Sequence, residues 1–288
     1  MSHCSQPNEE KAALDTRVLK ALAAIIRPIN LCIIIITAVF AVYYFQISPT
    51  VTMGIIGMLF ASIAASGYII NDIFDIEIDV RNRPTRPLPS RMISVQTAWI
   101  WYAMWIIFAM ILTVYLYSLT IIFAILCVYL TIYYATKAKI TGVWGNLIVA
   151  FLTASPIIAV ALEGEVTALR LLVPAGCAFL ITLTREIVKD CEDMEGDAQV
   201  NSKSIPLSLG IQNTRYIILG LTIGLCCFTL AMRSSATKIL LYDCIVIGVV
   251  TILMTVAYAS VRKERYSNAS VLYKVAMIVG IGGLWLSR

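Results

Sequence analysis

The strongest constraint on this chain is the recurrence of apolar runs of about 20 residues, the length of helix that crosses a ~30 Å hydrocarbon layer. Nine such windows follow one another, over roughly 22–45, 51–72, 95–116, 119–136, 144–162, 169–190, 212–232, 238–260 and 269–287. Inside lipid, backbone N–H and C=O groups must find partners within helices or closed barrels, and runs of this length select helices. The charged fraction of 14% is well below the ~25% of soluble domains, which excludes an ordinary globular enzyme. The same apolarity excludes disorder. The expected fold class is therefore all-α: a polytopic membrane protein with a polar N-terminal tail over 1–21 and nine transmembrane helices within 22–288.

The first window is expected to span the membrane rather than act as a signal peptide, because a polar stretch precedes it and no small-residue cleavage site follows. Windows three and four are joined by Tyr117–Ser118–Leu119, a tight helical hairpin. Of the 22 basic residues, 18 fall on one alternating side and only Arg170, Arg233, Lys238 and Arg288 on the other. Under the positive-inside rule this split places the N-terminus in the cytoplasm and the C-terminus outside. Basic excess located in short loops is a topology signal, so the net charge of +5 points to the lipid bilayer as partner and not to nucleic acid. The acidic Glu9, Glu10 and Asp15 argue against a transit peptide, and a bacterial or archaeal cytoplasmic membrane is the expected location. The single histidine, His3, lies in the polar tail, which removes imidazole chemistry from the membrane region. The eight cysteines form no CxxC pair and are expected to be reduced and structural.

Acidic residues are costly near a membrane and mark function when they cluster there. Ten of the 17 fall within 72–79 and 186–197. Both stretches contain D-x-x-D-x-x-x-D: Asp72, Asp75 and Asp79, then Asp190, Asp193 and Asp197, each 118 residues after its counterpart. Pro87-Leu88-Pro89-Ser90 is echoed downstream by Ile205-Pro206-Leu207-Ser208. Four helices separate the clusters, so both end on the same face, in the manner of a parallel internal repeat. Offsets of 0, 3 and 7 lie within roughly 60° on a helix, which stacks each triplet on one face, with Asn71 on its flank and Glu186 one turn before Asp190. Stacked carboxylates repel one another unless a cation sits between them. Hard oxygen donors suit Mg²⁺ and argue against Zn²⁺.

Mg²⁺ held by a few carboxylates keeps open positions for phosphate oxygens. Arg81, Arg83, Arg86, Arg185 and Lys189 stand beside the acids, and Tyr133 and Lys137 form Y-x-x-x-K at the cytoplasmic end of the fourth window. Carboxylate, Mg²⁺, Arg and Lys together are what a diphosphate needs. Solvation of loops accounts for part of the arginine content of 81–91, but it requires no matched Asp spacing.

These motifs resemble those of the UbiA superfamily of intramembrane prenyltransferases. The likeness rests on N-D-x-x-D-x-x-x-D at Asn71–Asp79 and on Asn82-Arg83-Pro84-x-Arg86-Pro87-Leu88-Pro89-Ser90. It extends to Y-x-x-x-K at Tyr133–Lys137, D-x-x-D-x-x-x-D at Asp190–Asp197, and Arg27-Pro28-Ile29-Asn30 in the opening helix. Arg91 departs from it, standing where members often carry Gly after Pro-Ser. The resemblance implies a helical bundle around a central, lipid-open cavity capped on the cytoplasmic side. It implies that Asp72, Asp75, Asp79, Asp190, Asp193 and Asp197 hold Mg²⁺ and that Asn71 joins them at the diphosphate of an isoprenoid donor. Lys137, flanked by Tyr133, would hold diphosphate oxygens, assisted by Arg83 or Lys189. Ionising an allylic diphosphate requires neutralisation of the leaving group and a dry site. Tyr68, Phe74, Tyr134 and Trp144 lie near the right helix ends to shield an allylic cation, although most aromatics of such a chain serve packing or the interfacial belt.

The stretch Arg185-Glu186-x-x-Lys189-Asp190-x-Glu192-Asp193-x-Glu195-Gly196-Asp197 is most similar to that of digeranylgeranylglyceryl phosphate synthases, which add a second geranylgeranyl chain to geranylgeranylglyceryl phosphate. A lipophilic acceptor of that type would make an ether lipid. Prenylation of an aromatic acceptor of the 4-hydroxybenzoate, naphthoate or chlorophyllide type is the alternative within the superfamily. A terpene cyclase or diphosphatase would share the ionising machinery. From another class, an ion-coupled transporter would place its acids near the bilayer midplane.

Overall fold

The computed structural model describes residues 6–48, 50–199, 203–233 and 236–286; His3, Cys4 and Arg288 lie outside the described residues. Among the described residues every regular element is helical, and nine helices are long and apolar enough to cross a membrane. The order is α1 (Gln6–Ile25), α2 (Pro28–Phe45), α3 (Val51–Phe74), α4 (Ile76–Asn82), α5 (Val95–Thr113), α6 (Ser118–Thr136) and α7 (Val143–Glu163). It continues with α8 (Ala168–Glu192), α9 (Met194–Gln199), α10 (Ile205–Leu209), α11 (Ile211–Met232), α12 (Ile239–Arg262) and α13 (Tyr266–Leu286). The spanning helices are α2, α3, α5 to α8 and α11 to α13.

The first span starts at Pro28, six residues later than its apolar window, and the preceding segment is a separate helix. The cause is local. Pro28 lacks an N–H and disfavours α geometry in the residue before it. Arg27 accordingly adopts a left-handed conformation, φ 53° and ψ 66°, and α2 restarts with Pro28 in its first turn. The apolar residues Ala21 and Ile25 are buried at the end of α1 against Ile69, Leu88, Ile93 and Ala98.

Burial sorts the spans. The span of α3 is 67% buried and that of α5 only 17%, so α3 runs through the protein interior while α5 presents Ile100, Met104, Ile107 and Met110 outward. An exposed apolar face of that length belongs against lipid tails. At the far end of the bundle from the Asp clusters, the α5–α6 turn is secured by Glu163 of α7. Its carboxylate accepts from the Tyr117 N–H at 3.2 Å and from Thr120 Oγ1 at 2.7 Å. This satisfies donors that the start of a helix otherwise leaves orphaned. Helix α12 includes a π-helical stretch, Asp243–Val250, which packs against α13 at Gly283; a Cβ there would meet the Ile245 side chain at 2.6 Å.

The duplicated motifs share a backbone device. Helix α3 ends and α4 begins at Asp75 (φ −91°, ψ 1°), and α8 ends and α9 begins at Asp193 (φ −92°, ψ 8°). The break is one residue long in both, because the amides on either side still bond helically. Asp75 N–H donates to Asn71 O and Asp79 N–H to Asp75 O, at 2.9 and 2.8 Å. Asp193 N–H donates to Lys189 O and Asp197 N–H to Asp193 O, at 2.8 and 2.9 Å.

Candidate active site

Asp72, Asp75 and Asp79 are all buried, with exposures of 4%, 5% and 5%. Buried carboxylates require compensating charge, and three cations from three separate segments supply it. Arg27, turned by the break before α2, donates from Nη2 to Asp72 Oδ1 at 2.8 Å and lies over the Tyr68 ring, 4.7 Å from its centroid. Arg86, from the proline-rich loop after α4, donates from Nη1 to Asp79 Oδ2 at 2.5 Å and stands 3.5 Å from Asp72 Oδ1. Lys139 donates from Nζ to Asp75 Oδ2, and Asn71 Nδ2 donates to the same oxygen at 2.8 Å.

The second motif is more open. Asp190 Oδ2 accepts from Asn146 Nδ2 of α7 at 2.6 Å. Asp193 is exposed, and Asp197 is half-buried. Burial pushes the Asp197 carboxyl above the usual carboxylate range; Asp193 beside it adds to the rise and Lys139 opposes it. Lys139 thus acts electrostatically on both motifs. Tyr134 lies between them too, within electrostatic reach of Asp75, Asp190 and Glu186. Glu186 accepts from Arg185 Nη1 at 2.9 Å and from Lys189 Nζ at 2.9 and 3.1 Å.

A cavity of about 500 Å³ extends from this end among α2, α3, α6, α7, α8 and α13. Its polar end includes Arg27, Asn71, Arg83, Arg86 and Lys189, and its apolar part includes Ile33, Phe60, Ile63, Leu152 and Ile181. Tyr68 and Tyr134 line it, whereas Phe74 and Trp144 are exposed, at 50% and 65%. Lys137 and Tyr133 do not line it. Lys137 caps α6 and is exposed, and Tyr133 stacks on Tyr129 with centroids 6.0 Å apart.

Three side chains in this arrangement were not among those singled out by spacing: Lys139, Asn146 and Arg27 in its role at Asp72. Asn146 carried a readable signal, a lone carboxamide inside an apolar helix. Lys139 carried none, because the chain leaves α6 at Lys137 (φ −138°) and a short 3₁₀ turn, Ala138–Thr141, decides which lysine reaches Asp75.

Among the described residues no three His, Cys, Asp or Glu side chains are grouped closely enough to hold a metal ion. The donor set nonetheless suits a hard divalent cation. It consists of carboxylates with no thiol or imidazole, and the buried Asn71 Oδ1 has no hydrogen-bond partner beside Asp75.

Residues 31–279 match the model of the UbiA prenyltransferase family. A digeranylgeranylglyceryl phosphate synthase of Saccharolobus solfataricus is 41% identical over 154 residues, 53% of this chain and 55% of that one, so the chain spans about half the length of that curated relative. A solved structure described as giving structural and mechanistic insights into digeranylgeranylglyceryl phosphate synthase in membranes superposes with a TM-score of 0.74 at 26% identity, covering 94% of this chain and 98% of that one. A UbiA homolog from Archaeoglobus fulgidus, bound to DMAPP and Mg²⁺, shares the fold with a TM-score of 0.67 at 17% identity, over 91% and 98% of the two chains. With nine helices among the described residues long and apolar enough to span, a cavity whose polar end holds partners of the first Asp motif, and a family match over most of its length, this chain is a member of the UbiA prenyltransferase family.

Proposed function

We propose that this protein transfers a geranylgeranyl group from an isoprenoid diphosphate to geranylgeranylglyceryl phosphate, forming an ether lipid. The observation that carries the reading is that Arg27, Asn71 and Arg86, which bond the first Asp motif, line the polar end of an otherwise apolar cavity, while Lys139 links that motif to the second. The names of the relatives, and the Mg²⁺ and prenyl diphosphate bound by the A. fulgidus homolog, support the substrate class.

In this reading Asp72, Asp75 and Asp79 from one motif and Asp190, Asp193 and Asp197 from the other hold Mg²⁺, which when bound supplies charge neutralisation of the leaving diphosphate. Asn71 offers its free amide oxygen to the same cluster. Lys139 and Arg83 bind diphosphate oxygens, with Lys137 and Tyr133 at the outer rim. Because Lys139 already faces Asp75, its charge is organised before substrate arrives, which is where electrostatic stabilisation is most effective. Ile33, Phe60, Ile63 and Leu152 hold the prenyl chain and exclude water, so the allylic cation meets the acceptor hydroxyl rather than solvent. The Tyr68 and Tyr134 rings lie where their faces stabilise that cation. The hydroxyl proton leaves as the ether bond forms, and Glu186 is the carboxylate that lines the cavity and could receive it. The charge split supports a cytoplasmic position for this polar end and the N-terminal segment.

The test uses the protein in lipid nanodiscs with geranylgeranyl diphosphate and Mg²⁺, offering geranylgeranylglyceryl phosphate and 4-hydroxybenzoate together and reading products by mass spectrometry. A digeranylgeranyl ether that disappears with EDTA is expected. A prenylated aromatic acid, or prenyl alcohol with both acceptors untouched, would overturn the reading.

A further inference from the structure

The cavity has a second polar wall that the diphosphate chemistry does not use. Arg185 and Lys189 of α8 and Lys274 of α13 all line it, and Lys274 lies within electrostatic reach of the other two. Glu186 is the carboxylate paired within this group, and it serves Arg185 and Lys189 with the same oxygen, Oε1. Among the described residues Lys274 has no carboxylate partner; its Nζ stands 3.5 Å from Asn30 Oδ1, at the limit of a hydrogen bond. The Arg185 Nε is buried and has no acceptor. Arg185 lies seven residues before the end of α8 and Lys274 eight after the start of α13, about two turns inside each helix.

Three cations against one carboxylate, two of them about two turns inside membrane-spanning helices and Lys189 within the last turn of α8, repel one another where charge is poorly screened. Such a group is tolerable when an anion completes it. The buried carboxylates Asp72, Asp75 and Asp79 do not neutralise this group: the cations they pair with are Arg27, Arg86 and Lys139. We propose that Arg185, Lys189 and Lys274, with Asn30, form the binding site for the phosphomonoester of the acceptor, and that they select an anionic acceptor over a neutral one. The assignment rests on the acceptor class proposed above. It separates two phosphate chemistries: a diphosphate at the Asp motifs, beside the polar end of the cavity, and a monoester on the cation wall. Lys189, which spacing alone groups with the diphosphate, belongs to the second.

The test compares wild type with Lys274→Gln, Arg185→Gln and Lys274→Arg in nanodiscs, using geranylgeranylglyceryl phosphate and the alcohol that lacks its phosphate. Removing one charge-assisted partner should raise the acceptor KM about tenfold or more and erase most of the preference for the phosphate over the alcohol. The donor KM should stay within about twofold, and Lys274→Arg should restore most of the loss. A rise in donor KM with the acceptor KM unmoved would overturn the assignment and return these cations to the diphosphate. Equilibrium binding of geranylgeranylglyceryl phosphate without donor keeps the two readings apart. If wild type binds it but transfers nothing to it, the proposed activity fails. If wild type and Lys274→Gln bind it equally, the cation wall is not its site.

Discussion

Lys139 donates to Asp75 Oδ2 from a 3₁₀ turn, while Lys137, two residues earlier, is the residue at which α6 ends. The two lysines therefore differ in role although either could be chosen from the sequence. Lys139→Met should lower single-turnover transfer about a hundredfold, as loss of one organised electrostatic contact does in other enzymes. Lys137→Met should cost far less. Equal losses in the two variants, measured with saturating donor, would contradict the geometry.

Asp190 and Asn146 make the corresponding contact in the second motif, at 2.6 Å. Asp190→Asn and Asn146→Ala should each reduce transfer, and the double variant should lose less than the product of the two. Residues that share one hydrogen bond couple by about 0.5–3 kcal/mol. Strict additivity in the double-mutant cycle would show that Asn146 does not act through Asp190.

Arg91 has φ 58°, the left-handed backbone region that favours glycine. Its amide donates to Leu88 O at 3.0 Å and the next, Met92 N–H, to Pro87 O at 3.0 Å, so the turn that carries Arg86 to Asp79 depends on this conformation. A side chain there costs about 1 kcal/mol relative to glycine. Arg91→Gly should raise the unfolding midpoint in detergent modestly and leave transfer intact. A lowered midpoint would mean that the Arg91 side chain itself holds the loop.

Glu163 provides a contrast at the other end of the bundle. It is 7% exposed and carries no part of the proposed chemistry. Glu163→Ala strands the Tyr117 N–H and the Thr120 hydroxyl, which should destabilise the protein by about 1–3 kcal/mol. Transfer per folded molecule, normalised by monodisperse protein on size exclusion, should hold. A selective loss of turnover would tie this end of the bundle to the chemistry.

The nine spans were legible because lipid imposes one length and one polarity on them. The Asp motifs were legible because their spacing of 0, 3 and 7 repeats 118 residues on, and a repeat is visible without any structure. Less legible was everything decided by a single backbone turn. Hydropathy runs unbroken from Ala21 through Ile26, so it extended the first span across Pro28, whose effect is steric rather than hydrophobic. The identity of the lysine facing Asp75 depended on how the chain leaves α6, and the partners of Arg27 and Asn146 lie 45 and 44 residues away. Spacing on one helix can group side chains on a face, but it says nothing about what another helix brings to that face.

The break at Arg27 has a practical side for anyone preparing this protein. Hydropathy invites trimming the polar segment back to the first apolar run, and the obvious cut, before residue 22, falls in the last turn of α1. That cut removes most of the helix, with Ala21 that packs against Ile69, Leu88 and Ile93, and leaves Ile25 without it beside the residue that grips Asp72. A shortened protein would keep every apolar span from Pro28 onward, with one guanidinium loosened from its carboxylate. Expression designs should treat Gln6–Ile25 as a doorpost of the cavity, and a tag fused close to it as a perturbation of the site.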